Sequence, residues 1–291
     1  MFFVALITFS LAHLAPGSPF DRNENRSLPQ ATLDKINRYY GIDQPIPVQF
    51  VDYIGNLLRG DLGISFTRGR PVADIIGQGI GTTAQLGIGA LVFAMAFSIP
   101  LGILSALKQN TPVDYLSLLV ATVGTTIPGF VTAILLIYVF GVTLHLLPFV
   151  GWGSWQHMIL PMVVLGLGPG AILTRITRAS MLEAIRQDYV RTARSKGLRE
   201  RSVIVGHALK NALIPVATIV GPATAGLVTG SFIIEQLFSV PGIGRLYVIS
   251  INQRDYPTIM ATTLLYAFII MVANITVDIV YGILDPRIKV A

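Results

Sequence analysis

Between Tyr115 and Thr174 the chain runs for 60 residues without a single Asp, Glu, Lys or Arg. As one helix that run would extend roughly 90 Å at about 1.5 Å per residue, against about 30 Å of bilayer hydrocarbon. A soluble domain has no place for it, because about a quarter of such a domain's residues are charged. The run therefore folds back on itself in an apolar solvent, as two spans joined by a turn. The turn reads as L-L-P-F-V-G-W-G-S-W-Q-H, Leu146 to His157, whose Trp, Pro and Gly residues suit a membrane interface.

Charge-free gaps also cover residues 1–20, 75–107, 211–234 and 256–277. With 53% hydrophobic and 12% charged residues, the chain as a whole is a membrane protein. The reading is an all-α membrane protein of about six transmembrane helices, at about 2–15, 82–107, 115–141, 158–175, 212–234 and 258–283. The organisation is a first span over 1–15, an extracytoplasmic insertion over 16–81, and a five-span region over 82–291.

The first span is the weakest, since Phe2 to Leu14 supplies about 20 Å of helix. A signal peptide is the competing reading; the missing basic n-region and the poor cleavage site A-P-G-S-P stand against it. A natural start further upstream is expected. The insertion carries seven basic and seven acidic residues, reads as helices with Gly and Pro stops, and holds no Ser-His-Asp or metal cluster.

Arg175 to Pro215 is the one long polar island in the second half, with nine basic against three acidic residues, a surplus equal to the +6 net charge of the whole chain. Leu182, Ile185, Tyr189 and Ala193 recur at helical spacing, so a helix with one apolar stripe is predicted, ending at Gly197, and a second short helix from Arg199 toward Leu209. Ala193 and Gly197, four apart, are expected to share one small-residue face. Placing the island inside, with Lys108, Arg287 and Lys289, collects 12 basic residues on one side, against Arg245 and Arg254 in the short outer loops. Both termini are then cytoplasmic. A high pI of 9.7 does not imply nucleic acid, because the excess is confined to one loop between spans.

Two short helices joined at a glycine between membrane spans resemble the cytoplasmic coupling loop, between the fourth and fifth spans, of ABC-importer permeases. That family's pattern is Glu-Ala-Ala, three residues, then Gly. Arg191, Thr192, Ala193 and Gly197 match it here, with Arg191 in place of the glutamate and Thr192 in place of the first alanine. D-Y-V-R-T-A-R-S-K-G-L followed by H-A-L-K-N-A-L-I-P is similar to the dipeptide, oligopeptide and nickel branch, as are A-H-L-A-P-G-S-P, the insertion, I-I-E-Q-L-F-S-V-P-G-I-G-R-L and Q-R-D-Y-P-T-I. The resemblance implies a plasma (inner) membrane permease subunit that takes up di- or oligopeptides. Its implied partners are a second homologous permease, cytoplasmic ABC ATPase subunits, an extracytoplasmic substrate-binding protein and membrane lipid. Tyr189, Arg191, Thr192, Ala193, Gly197, His207 and Leu209 are the implied contacts to the ATPase. A nickel complex or another small solute is the alternative cargo.

The chain has no Gly-x4-Gly-Lys-Ser/Thr phosphate loop, so ATP hydrolysis is expected in separate subunits, with no catalytic residue and no cofactor in this chain. His13, His145 and His157 read as interfacial rather than metal ligands. The rival class is an ion-coupled secondary transporter, which would keep an ionisable residue at mid-membrane. Asp278 is the one candidate, near the end of its span. An intramembrane enzyme would need paired catalytic residues, and none are seen. Polar groups in the spans are otherwise small. The T-T-I-P-G-F stretch, with Thr125, Thr126 and Pro128, is the expected lining of a translocation pathway, and Asn274 is a further candidate.

Overall fold

The computed structural model describes residues 1–14, 39, 44–228 and 231–284. The described chain is helical apart from one isolated β-bridge between Ile64 and Pro71. Helix α1 (Phe2–Leu14) lies against α2 (Ile46–Leu58) through Phe9, whose ring centroid is 5.1 Å from that of Phe50 and 5.8 Å from that of Tyr53. The rest of the expected insertion between α1 and α2 lies outside the described residues. So do the tail from residue 285 and the side chain of Asp278.

Helix α3 (Val72–Leu107) spans 36 residues and starts ten residues before the predicted span, so the end of the expected insertion is a continuation of the same helix. It packs most extensively on α6 (Trp155–Ile185). Glycines let the two backbones approach: a Cβ on Gly166 would stand 2.5 Å from the Ala90 carbonyl oxygen, and one on Gly102 2.7 Å from that of Thr174. Close approach of this kind replaces the hydrophobic drive that lipid cannot supply.

The predicted span over 115–141 is not straight. Pro128 bars the residue before it from helical dihedrals, and Ile127 sits at φ −80°, ψ 124°. Helix α4 (Pro112–Thr126) stops there, and α5 (Gly129–Leu136) restarts at a bend of 109°, continuing as a wide π turn over Ile137–Thr143. The turn expected from Leu146 to His157 is present and ends where Ser154 precedes α6, its hydroxyl 2.8 Å from His157 Nδ1.

After α6 come α7 (Asp188–Ser195), α8 (Glu200–Val203), a π turn (Ile204–Ala208) and α9 (Leu209–Val228), then α10 (Phe232–Leu237), α11 (Ile243–Gln253) and α12 (Tyr256–Leu284). Among the described residues four helical stretches are long and apolar enough to cross a membrane, or five if the bent α4–α5 pair counts as one. The 13-residue α1 falls below that length.

Candidate coupling segment and translocation cleft

The predicted helix through Leu182 and Ala193 is two helices. Arg186 closes α6, and Gln187, extended at φ −72°, ψ 152°, starts α7 on a new axis. The apolar stripe therefore does not continue across the break. Helix α7 turns Val190 and Ala193 inward, 1% and 4% exposed, where they join Ala106 of α3, Met181 and Ala184 of α6, Val203 of α8, and Ala208 and Ala212 in one apolar cluster. Ala193 thus belongs to the chain's own core rather than to an outer face shared with Gly197. Leu209 and Ile204 pack, partly buried, against the same cluster.

The other face is open. Tyr189, Arg191, Thr192, Gly197 and His207 are all exposed. Leu198 and Val205, 44% and 56% exposed, add apolar surface among Arg186, Lys196, Arg199 and Arg201. Gly197 sits at φ +73°, the left-handed region that favours glycine, and reverses the chain between α7 and α8. Arg194 bridges the reversal, its Nη2 and Nε donating to Glu200 at 2.7 and 3.2 Å and holding that carboxyl below the usual range. Arg191 makes one loose pair with Asp188 at 3.7 Å, with both side chains in solvent, and such pairs stabilise little.

The α4–α5 bend opens a cavity of about 500 Å³ lined by Thr125, Pro128, Thr132, Phe130, the Val164–Ile172 stretch of α6, and Ser231, Ile233 and Ile234. None of the described lining residues is charged. Thr126 stands at the bend without lining the cavity, and Asn274 lies exposed on α12, also outside it. The structure thus brings Thr125 and Pro128 together and leaves the other two apart.

Three buried carboxylates organise the fold and escaped the sequence reading. Asp114, 1% exposed, takes two 2.7 Å bonds from Arg178 Nε and Nη2, one from Ser105 Oγ at 2.5 Å and one from the Asn110 N–H at 2.9 Å, tying α4 to α6 and α3. Glu235, fully buried, accepts from Thr83 Oγ1 at 3.0 Å and from the Arg245 N–H at 3.1 Å. It fills the anion site that the start of α11 creates, and burial pushes its carboxyl up. A Cβ on Gly242 would collide with the Glu235 carboxylate and Thr83 Oγ1, so the V-P-G-I-G turn can close only on glycine. Asp255, preceding α12, accepts from Ser65 Oγ at 2.5 Å, the Phe66 N–H and Thr67 Oγ1 at 3.0 Å, and Thr258 Oγ1 at 2.9 Å. Each acid binds donors far off in sequence, so no local spacing announces it. The one available signal was that Asp114, Glu235 and Asp255 each border a charge-free gap, a place they share with Asp21, Asp74 and Asp278.

Known proteins place the chain in a family and a fold. The family described as binding-protein-dependent transport system inner membrane component matches residues 98–290. The chain is 43% identical over 287 residues to the dipeptide transport system permease protein DppB of Bacillus subtilis (strain 168), covering 98% of this chain and 92% of that protein. It is 39% identical over 289 residues to the glutathione transport system permease protein GsiC of Escherichia coli (strain K12), covering 99% and 94%. Among solved structures, an inward-facing MetNI methionine ABC transporter chain superposes with a TM-score of 0.61 at 16% identity, covering 72% of this chain and 96% of that one, a likeness of fold. The chain belongs to the binding-protein-dependent transport system inner membrane component family, the membrane permeases of ABC importers.

Proposed function

We propose that this chain is a peptide-importing permease subunit that pairs with a second permease, docks ABC ATPase subunits through the outer face of α7, and receives solute from an extracytoplasmic binding protein. The two-sidedness of α7 carries the coupling part of the reading. Its inner face is locked into α3, α6, α8 and α9 by Val190 and Ala193, while its outer face offers Tyr189, Arg191 and Thr192 to a partner. A push on that outer face cannot be absorbed by α7 alone, because close-packed apolar contacts transmit displacement. It must shift the ends of α3, α6 and α9 together, and α6 also lines the cavity at the α4–α5 bend.

Peptides are the cargo that the relatives favour, since both named permeases serve peptide solutes. A cavity of about 500 Å³ whose described lining is uncharged suits passage of varied small peptides and offers no charged group there to clasp a terminus, so selection belongs to the binding protein. The proposed topology has six spans, with α1 as the first, the bent α4–α5 pair as the third, and both termini on the side of the basic segment. This chain contributes no ATP hydrolysis.

The reading is tested by reconstituting the tagged chain with a candidate ATPase, second permease and binding protein from the same source. ATP-dependent accumulation of labelled dipeptide in vesicles is expected, without uptake of nickel. Failure of an ATPase to copurify in mild detergent would overturn the docking part, and uptake driven by an ion gradient without ATP would move the chain to the secondary transporters.

A further inference from the structure

A second cleft, of about 220 Å³, lies at the opposite end of the bundle from the basic segment, between the start of α3, the V-P-G-I-G turn and α11. Its polar lining is cationic, with Arg68 and Arg245, and Gln78 beside them; Ile75 and Leu246 form an apolar wall. A third guanidinium stands at its edge, where Arg70 Nη2 donates to Gln78 Oε1 at 3.0 Å. None of these arginines is ion-paired within the described chain, where the salt bridges are Arg178–Asp114, Arg191–Asp188 and Arg194–Glu200. Arg245 anchors through Nη1 to the Ser239 carbonyl oxygen at 3.1 Å, and its Nε is buried without a hydrogen-bond partner.

The backbone that carries Arg68 and Arg245 is also held in place. Asp255 grips Ser65, whose hydroxyl in turn accepts the Arg68 N–H at 3.1 Å, and the hairpin closes with the Gly69 N–H on the Ser65 carbonyl oxygen at 2.9 Å. Glu235 fixes the Arg245 backbone N–H from below. Both acids are occupied by these fold contacts with neutral donors. Two guanidinium groups without a carboxylate partner among the described residues, Arg245 anchored through Nη1 and Arg68 carried on a closed hairpin, beside an apolar wall, describe a receptor for a planar anion joined to an apolar body.

We infer that this cleft, separate from the α4–α5 cavity, binds a carboxylate carried on a small apolar group, as in the free carboxyl end of an amino acid or short peptide. The inference goes beyond the transport reading and stands or falls apart from it. The test titrates N-acetylleucine, observed by carboxyl-13C NMR, against the full chain in phosphatidylcholine nanodiscs. N-acetylleucinamide and inorganic phosphate at matched ionic strength serve as probes for the carboxylate and for bare charge.

N-acetylleucine is expected to bind the native chain, with Arg68→Gln and Arg245→Gln each weakening it about tenfold or more, the loss typical of one charge-assisted hydrogen bond. Thr125→Val, in the other cavity, should leave it unchanged. Should Arg245→Gln fail to fold, the exposed Arg68 alone decides the matter through Arg68→Gln. Equal affinity for the amide, phosphate binding as tightly as N-acetylleucine, native affinity in the arginine variants, or loss in Thr125→Val would each overturn the inference.

Discussion

At one end of the bundle α7 and α8 reverse at Gly197 over an apolar contact of Ala, Val, Met, Leu and Ile side chains, with their own charges on the outside; the buried Asp114 at this end bonds Arg178, Ser105 and Asn110, none of them on α7 or α8. At the other end the V-P-G-I-G turn and the start of α12 close over the buried carboxylates of Glu235 and Asp255, satisfied by hydroxyls and backbone N–H groups. The difference teaches what each end tolerates. An apolar contact is non-directional, so α7 and the helix ends packed on it can tilt together as one block without leaving a bond unmade, which suits a segment that must follow a moving partner. A buried acid with several fixed donors has one arrangement, and leaving it costs every unmade bond, so it suits a junction that must not move.

Removing the directional lock should have the largest effect. Glu235→Ala strips partners from Thr83 Oγ1 and the Arg245 N–H, and is expected to cost on the order of 3–5 kcal/mol, read as a sharp fall in thermal unfolding midpoint in detergent. A fall no larger than that of a surface substitution would show that the far end is not held this way. Ala193→Trp comes next, because its site is 4% exposed: overpacking costs about 1–3 kcal/mol and should lower abundance as well as transport. Thr192→Trp, one residue away and exposed, should instead keep native stability while losing ATPase copurification. Equal stability of the two variants would erase the distinction between the inner and outer faces of α7.

Smaller effects separate the turn from its surroundings. Gly197→Val places a branched residue at φ +73° with open space around it, so about 1–2 kcal/mol of local backbone strain is expected, with transport reduced more than folding. Gly197→Ala should be milder on both counts. Arg191→Ala is the least: stability within about 0.5 kcal/mol of native, since its one ion pair is solvent-exposed, and a modest change in ATPase affinity that fades with added salt.

The same contrast explains what could be read from the chain alone. Charge-free gaps and a basic island are properties of contiguous sequence, so the long apolar helices, the turn before α6 and the reversal at Gly197 were all legible. Periodicity misled where helicity was interrupted. Leu182 and Ile185 belong to α6 and Tyr189 and Ala193 to α7, so a four-residue spacing carried across Gln187 pointed Tyr189 inward when it is 39% exposed. T-T-I-P-G-F was legible as special, but whether Pro128 kinks a span or bends it by 109° depends on what fills the angle, here α6 and α10. The carboxylate locks were invisible because Thr83 and Glu235, or Ser65 and Asp255, meet only after the whole bundle has formed.

Coupling through α7 requires one face for the chain and one for a partner, and the absence of cysteine from the sequence allows that to be measured directly. Single substitutions Thr192→Cys and Val190→Cys, each in the assembled importer and in the permease alone, are labelled with a bulky polar maleimide. The prediction is fast labelling of Thr192→Cys in the permease alone, at least tenfold protection when the ATPase is bound, on the order expected for a site covered by a protein interface, and slow labelling of Val190→Cys in both states. Thr192→Cys labelling at the same rate with and without the ATPase, or Val190→Cys labelling as fast as Thr192→Cys, would contradict it.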